Sequence, residues 1–319
     1  MIIYRKIEDI AEKLRRPVVT IGNFDGVHLG HRAIFRRVKE VARAFDGVSV
    51  VVTFVPHPLQ VLRPQVGVRL ITCPKQKERL LEASGIDCLV EIPFDQEFAA
   101  LSAPEFVKQV LVDRIGMEHL VIGYDYAFGR GREGDVKLLQ KLGEKYEYSV
   151  EVMQPVSDGS TIYSSTAVRN MVAEGDVGGV VSVLGRHYCI TGSVVPGHHR
   201  GRGLGFPTAN LETEMELYPA AGVYAVKAKV DGSVYDGACN IGTNPTFGND
   251  NVTMEVFLFD FEGDLYGREM SVYFVERLRG EKRFSDLEAL KDAIAADVRR
   301  AKEILGRTRI IEYHDGAEQ

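Results

Sequence analysis

The pattern of hydrophobic and polar positions changes once along the chain, near residue 182. Before that point, short apolar runs alternate with stretches in which apolar residues recur every three or four positions. The runs are typical of buried strands, and the three-to-four spacing is typical of amphipathic helices. The predicted strands of this half are Val18–Gly22, Ser49–Phe54, Cys88–Ile92, Leu120–Gly123 and Tyr148–Met153. Alternating strands and helices predict an α/β fold with a mostly parallel sheet and helices on both faces.

Two helices of the first half carry clear sequence signals. The first has an apolar stripe that consists of Ile34, Val38, Val41, Ala42 and Phe45. The second is predicted to begin at Ser102, because Ser102 and Glu105 form a capping box, and to end at Gly116.

The second half has the pattern of an all-β domain that ends in a helix. Its predicted strands are Tyr188–Val195, Gly222–Val230, Val234–Ile241, Val252–Phe259 and Met270–Glu276. Short strands with Gly- and Asp-rich turns between them predict an antiparallel β-barrel or sandwich, of which we favour the barrel. The last helix is predicted from Ser285, which opens a capping box, to Leu305, with an apolar stripe at Leu287, Leu290, Ile294, Val298 and Ala301. We therefore expect two domains, 1–182 and 183–319.

Composition and charge narrow the class of protein. The chain has 319 residues, 45% hydrophobic and 26% charged, which suits two domains better than one. A net charge of −6 and a pI near 5.8 argue against a nucleic-acid binder, which carries a basic stripe. Met1–Ile10 is too charged for a signal peptide, and no apolar run is long enough for a membrane span. We therefore expect a cytoplasmic protein whose four isolated cysteines are free thiols; its oligomeric state does not follow from the sequence.

Glycines and histidines cluster where the first predicted strand gives way to the first helix. Gly26 and Gly30 allow the backbone to approach a ligand closely, and a helix N-terminus favours phosphate. His28 and His31 are three residues apart, so both are predicted on one face of the first turn. There they can stabilise the charge on an α-phosphate under attack. The alternative is a metal half-site, but no Cys, Asp or Glu cluster with ligand spacing completes one.

This segment resembles the H-x-G-H signature of the nucleotidyltransferase superfamily. The longer form Gly22-Asn-Phe-Asp-Gly-Val-His-Leu-Gly-His31 is similar to the bacterial FAD synthetase group. The resemblance implies a Rossmann-like nucleotidyltransferase domain in which His28 and His31 are catalytic.

Three later segments fit the same family. Thr53–Pro58 resembles its F-x-P-H-P turn, Gly123–Gly129 its G-x-D-F-x-F-G stretch, and Ser164–Arg169 its S-S-T-x-I-R motif. In the last motif Ser and Thr cap a helix, and Arg169 can hold the β- and γ-phosphates. The nucleotide-binding residues that the resemblance implies in this half are Gly22, Phe24, Asp25, Gly26, Gly30, Pro56, His57, Asp125, Ser164, Ser165, Thr166 and Arg169.

A glycine- and arginine-rich loop is the most informative stretch of the second half. It begins at Gly197 and leads into Phe206-Pro-Thr-Ala-Asn210. Such a loop can wrap a polyphosphate. Thr208 and Asn210 are two apart, so in extended backbone their oxygens point the same way and suit Mg²⁺. The alternative, a surface loop that runs into a strand, explains the glycines and arginines but not the ordered Phe-Pro-Thr-Ala-Asn.

The same loop is similar to the G-F-P-T-A-N motif of riboflavin kinases. The resemblance implies that ATP is held by Gly197, Gly203, Gly205, Thr208 and Asn210, with Mg²⁺ on the last two. It implies flavin contacts at Gly222, Tyr224, Asn244 and Thr246. Glu255 then takes the role of general base on the ribityl hydroxyl, although a solvent-facing strand residue is the commoner fate of a glutamate.

Together the two resemblances imply a bifunctional enzyme of flavin cofactor biosynthesis. It phosphorylates riboflavin to FMN with ATP and then transfers an adenylyl group from ATP to FMN, giving FAD and pyrophosphate. We weigh three alternatives: an adenylyltransferase for pantetheine or nicotinate cofactors, a non-catalytic flavin carrier, and a tRNA-charging enzyme. The Phe206–Asn210 segment argues against the first, and His28, His31 and Glu255 together argue against the second. The acidic pI and the lack of a K-M-S-K-S-like segment argue against the third.

Overall fold

The chain folds into two compact units. The computed structural model describes residues 1–159, 161–196, 206–244 and 251–313. The first unit contains Met1–Arg69 and Pro74–Ser164, and the second contains Leu70–Cys73 and Ser165–Tyr313.

The first unit is built on a six-stranded sheet in which all strand pairs are parallel. The strands are β1 (Ile2–Tyr4), β2 (Val18–Ile21), β3 (Ser49–Val55), β4 (Cys88–Pro93), β5 (His119–Gly123) and β6 (Ser149–Met153). This confirms the predicted parallel α/β fold and its five strands. The sequence analysis missed β1, because three residues followed by Arg5 and Lys6 carry too short an apolar run.

Helices cover both faces of this sheet because its strands are apolar on both sides. Val51 packs with Phe35 and Leu81 on one face, whereas Val50 packs with Leu111 on the other. The α-helices are α1 (Leu29–Ala44), α2 (Pro58–Leu62), α3 (Pro74–Ala83), α4 (Gln96–Ala99), α5 (Ala103–Phe106) and α6 (Val136–Tyr146). A π-helical segment, Val107–Ile115, extends α5, and short 3-10 turns lie at Ile7–Asp9, Pro64–Val66 and Arg130–Arg132. As predicted, Ser102 caps α5 and Gly116, at φ 74°, ends the helical run.

The order of the strands places a crevice at the carboxyl end of β2. The strand order in the sheet is β1-β4-β3-β2-β5-β6. Strands β3 and β4 follow β2 on one side of it, and the chain then crosses to the other side of β2, where β5 and β6 pair. In open parallel sheets, ligands bind where the strand order reverses in this way, beyond the carboxyl ends of the strands. The loops after β2, β3 and β5 therefore meet at this edge.

The second unit is a closed six-stranded barrel, as predicted, with antiparallel pairing throughout. Its strands are β7 (Tyr188–Val195), β8 (Ala209–Glu212), β9 (Gly222–Val230), β10 (Ser233–Asn244), β11 (Asn251–Leu258) and β12 (Glu269–Gly280). Around the barrel the order is β10-β11-β8-β7-β12-β9. Alternate residues fill the interior, among them the fully buried Tyr224, Val226, Met254, Val256 and Phe274.

Among the described residues, this unit contains three helices: α7 (Ser165–Glu174), α8 (Val181–Leu184) and α9 (Leu287–Leu305). Ala301 and Leu305 of α9 pack against Val223 and Ala225 on the outer surface of the barrel. The predicted start of α9 at Ser285 is wrong by one position. Asp286 is the N-cap, and its carboxylate accepts the Ala289 N–H at 2.8 Å. Asp and Ser cap equally well, so the sequence pattern alone did not choose between them. Leu287, placed in the apolar stripe, is instead 64% exposed.

The boundary between the compact units lies earlier in the chain than the predicted functional boundary at 182. Helix α7 packs with the barrel: Arg277 of β12 donates to the carbonyls of Glu174 at 3.2 Å and Ala221 at 2.7 Å. The change of pattern at 182 marks where the strands begin, and α7 and α8 come before them while packing with the same unit. The assignment of one activity to each side of residue 182 stays a prediction.

Candidate active sites

A stacked pair of histidines stands at the N-terminus of α1. His28 is the N-cap residue, in extended conformation, and His31 lies in the first turn. Their ring centroids are 3.6 Å apart with an interplanar angle of 27°. His28 is only 5% exposed. Two imidazoles on one face of a helix N-terminus, where the helix dipole favours negative charge, form a site suited to a phosphate.

Two glycines of this loop, Gly26 and Gly30, allow neighbouring atoms to approach the backbone closely or allow a left-handed conformation. A Cβ added to Gly30 would lie 3.0 Å from Cε1 of His28 and 3.3 Å from the carbonyl oxygen of Tyr163. A side chain at this position would push the His28 ring away from the start of the helix by a few tenths of an ångström. Gly26 has φ 82°, a left-handed conformation that glycine adopts without strain.

Two non-glycine residues of the loop are also left-handed, Phe24 at φ 47° and Val27 at φ 42°. Each such conformation costs about 1–3 kcal/mol and persists only where the surroundings enforce it. Phe24 is 3% exposed, and its ring lies edge-on to His31, with the centroids 5.1 Å apart. Phe24 therefore packs in the core and supports His31, and its nucleotide contact stays a prediction.

The other predicted segments of the first unit follow neighbouring strands at the same edge of the sheet. Pro56 and His57 follow β3, and Nδ1 of His57 accepts the Leu59 N–H at 3.1 Å, so this side chain caps α2. Asp125 follows β5 and is exposed. Since the carboxyl ends of parallel strands share one edge, the loops after β2, β3 and β5 stand together there.

The predicted Ser164–Arg169 motif spans the boundary between the two units. Ser164 ends the first unit, and Ser165, Thr166 and Arg169 lie in α7 of the second. The hydroxyl residues therefore stand at a helix start, as the sequence indicates. A role of Arg169 beside the two histidines stays a prediction.

In the barrel, three polar side chains lie next to one another across adjoining strands. Glu255 of β11 is directly opposite Asn210 of β8 on one side and Asn240 of β10 on the other. Directly opposed residues of antiparallel strands point to the same face. The hydroxyl of Thr208 donates to Oε2 of Glu255 at 3.3 Å. Met254 and Val256, on either side of Glu255, fill the barrel interior, so this polar group is on its outer surface.

This polar group opens into a cavity of about 670 Å³ on the outside of the barrel. Thr208 and Glu255 line the wall made by the barrel, and α9 supplies the opposite wall. Its apolar lining includes Val223, Phe257, Phe284, Leu290, Ile294 and Val298. A volume of this size, with apolar walls and a few polar groups, suits a small organic ligand.

The buried thiol next to Glu255 is not a competing reactive group. Cys239 is fully buried, and burial, with a smaller contribution from the charge of Glu255, raises its pKa well above its ordinary value. A neutral thiol is a poor nucleophile. The thiol therefore does not compete with the carboxylate of Glu255 for acid–base chemistry.

Two residues with predicted flavin contacts have clear structural roles. Tyr224 is fully buried inside the barrel against Phe274, so its side chain packs the core, and its flavin contact stays a prediction. Gly222 has φ 153°, and a Cβ there would lie 2.4 Å from the Arg279 carbonyl oxygen. The close approach of the neighbouring strand therefore requires glycine at this position. Predicted residues outside the described residues are Gly197, Gly203, Gly205, Thr246 and the side chain of Asn244.

Sequence reasoning missed several residues around the cavity. Asn240 stands beside Glu255 only through the register of β10 with β11, which the sequence does not reveal. Arg279 pairs with Asp297 at 2.9 Å, and both line the cavity although 18 residues separate them. Across the described part of the chain, no group of three or more His, Cys, Asp or Glu side chains is placed to hold a metal ion.

These two arrangements suit a class of enzyme that binds phosphate at the edge of a parallel sheet and a small organic ligand on a barrel. Comparison with known proteins specifies the class further. A family model for FAD synthetase matches residues 10–167, and one for riboflavin kinase matches 184–305. The chain is 40% identical to the bifunctional riboflavin kinase/FMN adenylyltransferase of Pseudomonas fluorescens over 95% of this chain and 97% of that one. The corresponding Escherichia coli K12 protein is also 40% identical, over 92% of this chain and 94% of that one.

The chain therefore belongs to the family of bifunctional riboflavin kinases/FMN adenylyltransferases. It phosphorylates riboflavin to FMN and adenylylates FMN to FAD, with ATP as the second substrate of both reactions.

A solved structure from Streptococcus pneumoniae is similar over almost the whole chain. It has a TM-score of 0.86 and 31% identity, covers 94% of this chain and 98% of its own, and is described as a macrolide-efflux protein. That description is specific to the other protein, whereas both family models and the bacterial relatives agree on flavin chemistry. Within the described residues, no helix combines the length and apolar character that a membrane span requires.

Proposed function

We propose that the barrel carries out the phosphorylation of riboflavin, with Glu255 as general base. The observation that supports this proposal is the position of Glu255 in the cavity wall, next to the Thr208 hydroxyl at 3.3 Å. An alcohol attacks a phosphate efficiently only when its proton has an acceptor within hydrogen-bond reach. Asp297, another carboxylate of the cavity, is paired with Arg279 and is thus less available. Glu255 takes the proton of the 5′-hydroxyl while that oxygen attacks the γ-phosphorus and ADP leaves.

The apolar part of the cavity is proposed to hold the flavin ring system. Phe257 and Phe284 offer aromatic surfaces, and Leu290 and Ile294 of α9 offer aliphatic ones. A flat, largely apolar ring is stabilised by such walls, and aromatic pairs add about 0.5–1.5 kcal/mol beyond the area buried. With the ring between α9 and the barrel, the ribityl chain extends toward Glu255.

Thr208 and Asn210 are proposed to hold Mg²⁺ together with the phosphates of ATP. The donor set fits: a hydroxyl and an amide oxygen are hard oxygen ligands, and both side chains adjoin Glu255. Bound there, Mg²⁺ would neutralise charge on the β- and γ-phosphates. Few protein ligands are needed, because Mg²⁺ in kinases keeps water and phosphate oxygens in its shell.

We propose that adenylyl transfer takes place at the N-terminus of α1. A phosphate oxygen of FMN attacks the α-phosphorus of ATP, the bond to the β-phosphate breaks, and pyrophosphate leaves. His28 and His31 donate hydrogen bonds to the charge that develops on the α-phosphate, and the α1 dipole adds to them. The sequence motif of Ser165, Thr166 and Arg169 predicts that these residues hold the leaving phosphates. The ligand approaches between the loops that carry Gly22, Gly26, Pro56, His57 and Asp125.

Replacing Glu255 by Gln tests the proposed base. Glu255→Gln keeps the shape and a hydrogen-bonding oxygen but removes the proton acceptor, so FMN formation should fall by about two to four orders of magnitude. Glu262→Gln is the control, because Glu262 is an exposed carboxylate a few residues away. Initial rates of FMN formation from riboflavin and Mg·ATP provide the measurement. Near-normal turnover in folded Glu255→Gln would place the base elsewhere.

A further inference from the structure

A lysine is buried in the first unit, close to the loop between β2 and α1 that leads to the two histidines. Lys77 lies on α3 and is only 9% exposed. Lysine is almost never buried without partners, because its ammonium must replace the water that it loses. No sequence motif marks Lys77, and none of the proposed catalytic steps uses it.

The ammonium of Lys77 is connected to the histidine loop through one hydroxyl. Lys77 Nζ donates to Oγ1 of Thr53 at 3.2 Å, and this contact is buried. The same hydroxyl donates to the carbonyl oxygen of Asn23 at 3.2 Å. A threonine hydroxyl has one proton to donate and lone pairs to accept, so both bonds form at once. The chain of contacts thus runs from α3 through the end of β3 to the loop after β2.

Three carboxylates act electrostatically on the ammonium. Burial lowers the pKa of Lys77, and the negative charges of Glu91, Asp25 and Glu78 act in the opposite direction by stabilising the charged form. Asp25 and Glu91 are each 4% exposed, and Asp25 belongs to the histidine loop itself. Arg5 bonds to both Glu78 and Glu91, so these carboxylates are shared between two cations. Lys77 is therefore a buried cation on which carboxylates act, one of them in the histidine loop.

The histidine loop needs such support. Phe24 and Val27 are left-handed non-glycine residues, at φ 47° and 42°, and the loop delivers His28 to the N-cap of α1. Strained conformations of this kind persist only where the surrounding structure fixes them. Phe24 is fixed by ring packing on His31 and Phe35. The backbone just before Phe24 is fixed by the bond from Thr53 to the Asn23 carbonyl.

We propose that Lys77 is a positioning residue for adenylyl transfer, which acts through Thr53 on the Asn23 carbonyl and so on the two histidines. The proposal rests on the proposed role of His28 and His31. A misplacement of a catalytic group by about 1 Å can cost about a hundredfold in rate, so a small shift of this loop has a large effect. Because Lys77 does not touch the substrate, the effect should fall on kcat for FAD formation more than on KM.

Matched substitutions at Thr53 in the full-length chain test the proposal. Thr53→Val keeps the shape and removes the hydroxyl, whereas Thr53→Ser keeps the hydroxyl. We expect Thr53→Val and Lys77→Met each to lower kcat for FAD formation from FMN and ATP by about tenfold or more, with KM for ATP within about twofold. Thr53→Ser should restore kcat to near the wild-type value. FMN formation by the same preparations should be unchanged, which shows that the barrel has folded.

The double variant and a histidine variant complete the test. Since Lys77 acts through Thr53, Lys77→Met with Thr53→Val should lose no more than the worse single variant. Wild-type kcat in Thr53→Val, equal losses in Thr53→Ser and Thr53→Val, or multiplied losses in the double variant would each overturn the proposal. His31→Ala is measured alongside. If it makes FAD normally, the proposed function fails; if it is impaired while Thr53→Val is normal, only the role of Lys77 fails.

Discussion

At the scale of single residues, the arrangement of the histidine pair depends on the absence of a side chain at Gly30. A Cβ at this position would lie 3.0 Å from the His28 ring and 3.3 Å from the Tyr163 carbonyl oxygen, so the ring must move. Gly30→Ala should therefore lower FAD formation by about tenfold to a hundredfold, because a displaced donor no longer meets the developing charge. FMN formation by the same variant is the internal control. Unchanged rates of both reactions would show that the His28 ring position is not critical.

The same residues show how far a sequence predicts a site. His28, His31 and Glu255 could be singled out because their motifs combine several residue types in a fixed order. The ligand contacts of Phe24 and Tyr224 stay predictions, because an aromatic residue in a motif serves equally well in the core, where both lie. Lys77 and Asn240 were missed, because only strand register and helix packing bring them to their neighbours.

At the scale of elements, two ion pairs join β12 to α9, and they differ in burial. The pair of Arg279 with Asp297 lines the cavity, with side chains 26% and 13% exposed. The pair of Arg300 with Glu276 has side chains 55% and 48% exposed. The Arg279–Asp297 pair should hold α9 against the proposed flavin position. Water screens the exposed Arg300–Glu276 pair, so this pair should have little effect on flavin binding.

Asp297→Asn should therefore weaken riboflavin binding. The loss of a partly buried charge partner is of the order of 1 kcal/mol, which corresponds to an increase of KM for riboflavin of about fivefold. Glu276→Gln, at the exposed pair between the same two elements, should leave KM within about twofold. Steady-state kinetics of FMN formation distinguish the two variants, and equal KM changes would contradict the proposed flavin position.

Elements were predicted well where the pattern was long. The β7 and β9 ranges agree with the structure residue for residue, because each has eight or more residues bounded by glycine, proline or charge. The short β1 and β8, of 3 and 4 residues, were missed. A strand of that length has no measurable period, and only pairing with a neighbour defines it.

At the scale of the whole molecule, α7 and α8 precede the barrel in sequence but pack with it. Val168, Val172, Val177 and Val180 are all fully buried, and the Ala220 N–H donates to the Val172 carbonyl at 3.3 Å. A fragment that begins at residue 183 lacks these residues, whereas one that begins at 165 keeps them. Each buried valine contributes about 1.5 kcal/mol or more, so the shorter fragment should be markedly less stable.

We expect both fragments, 165–319 and 183–319, to make FMN and neither to make FAD. The shorter fragment should melt roughly 10 °C lower. It loses several kcal/mol of stability, and each kcal/mol lowers the melting temperature by about 2–4 °C. Thermal melts and product chromatography provide the measurements. FAD formation by either fragment, or a complete lack of FMN formation by the longer one, would contradict the assignment of the kinase to the barrel.

The most direct test of two independent sites is a reciprocal assay of His31→Ala and Glu255→Gln. Each full-length variant is given ATP and Mg²⁺ with either riboflavin or FMN, and the products are separated by chromatography. Glu255→Gln should fail to make FMN from riboflavin but convert supplied FMN to FAD at the wild-type rate. His31→Ala should accumulate FMN from riboflavin and make FAD about a hundredfold more slowly. If either variant, with its fold intact, lost both reactions equally, the account of two separate sites would be contradicted.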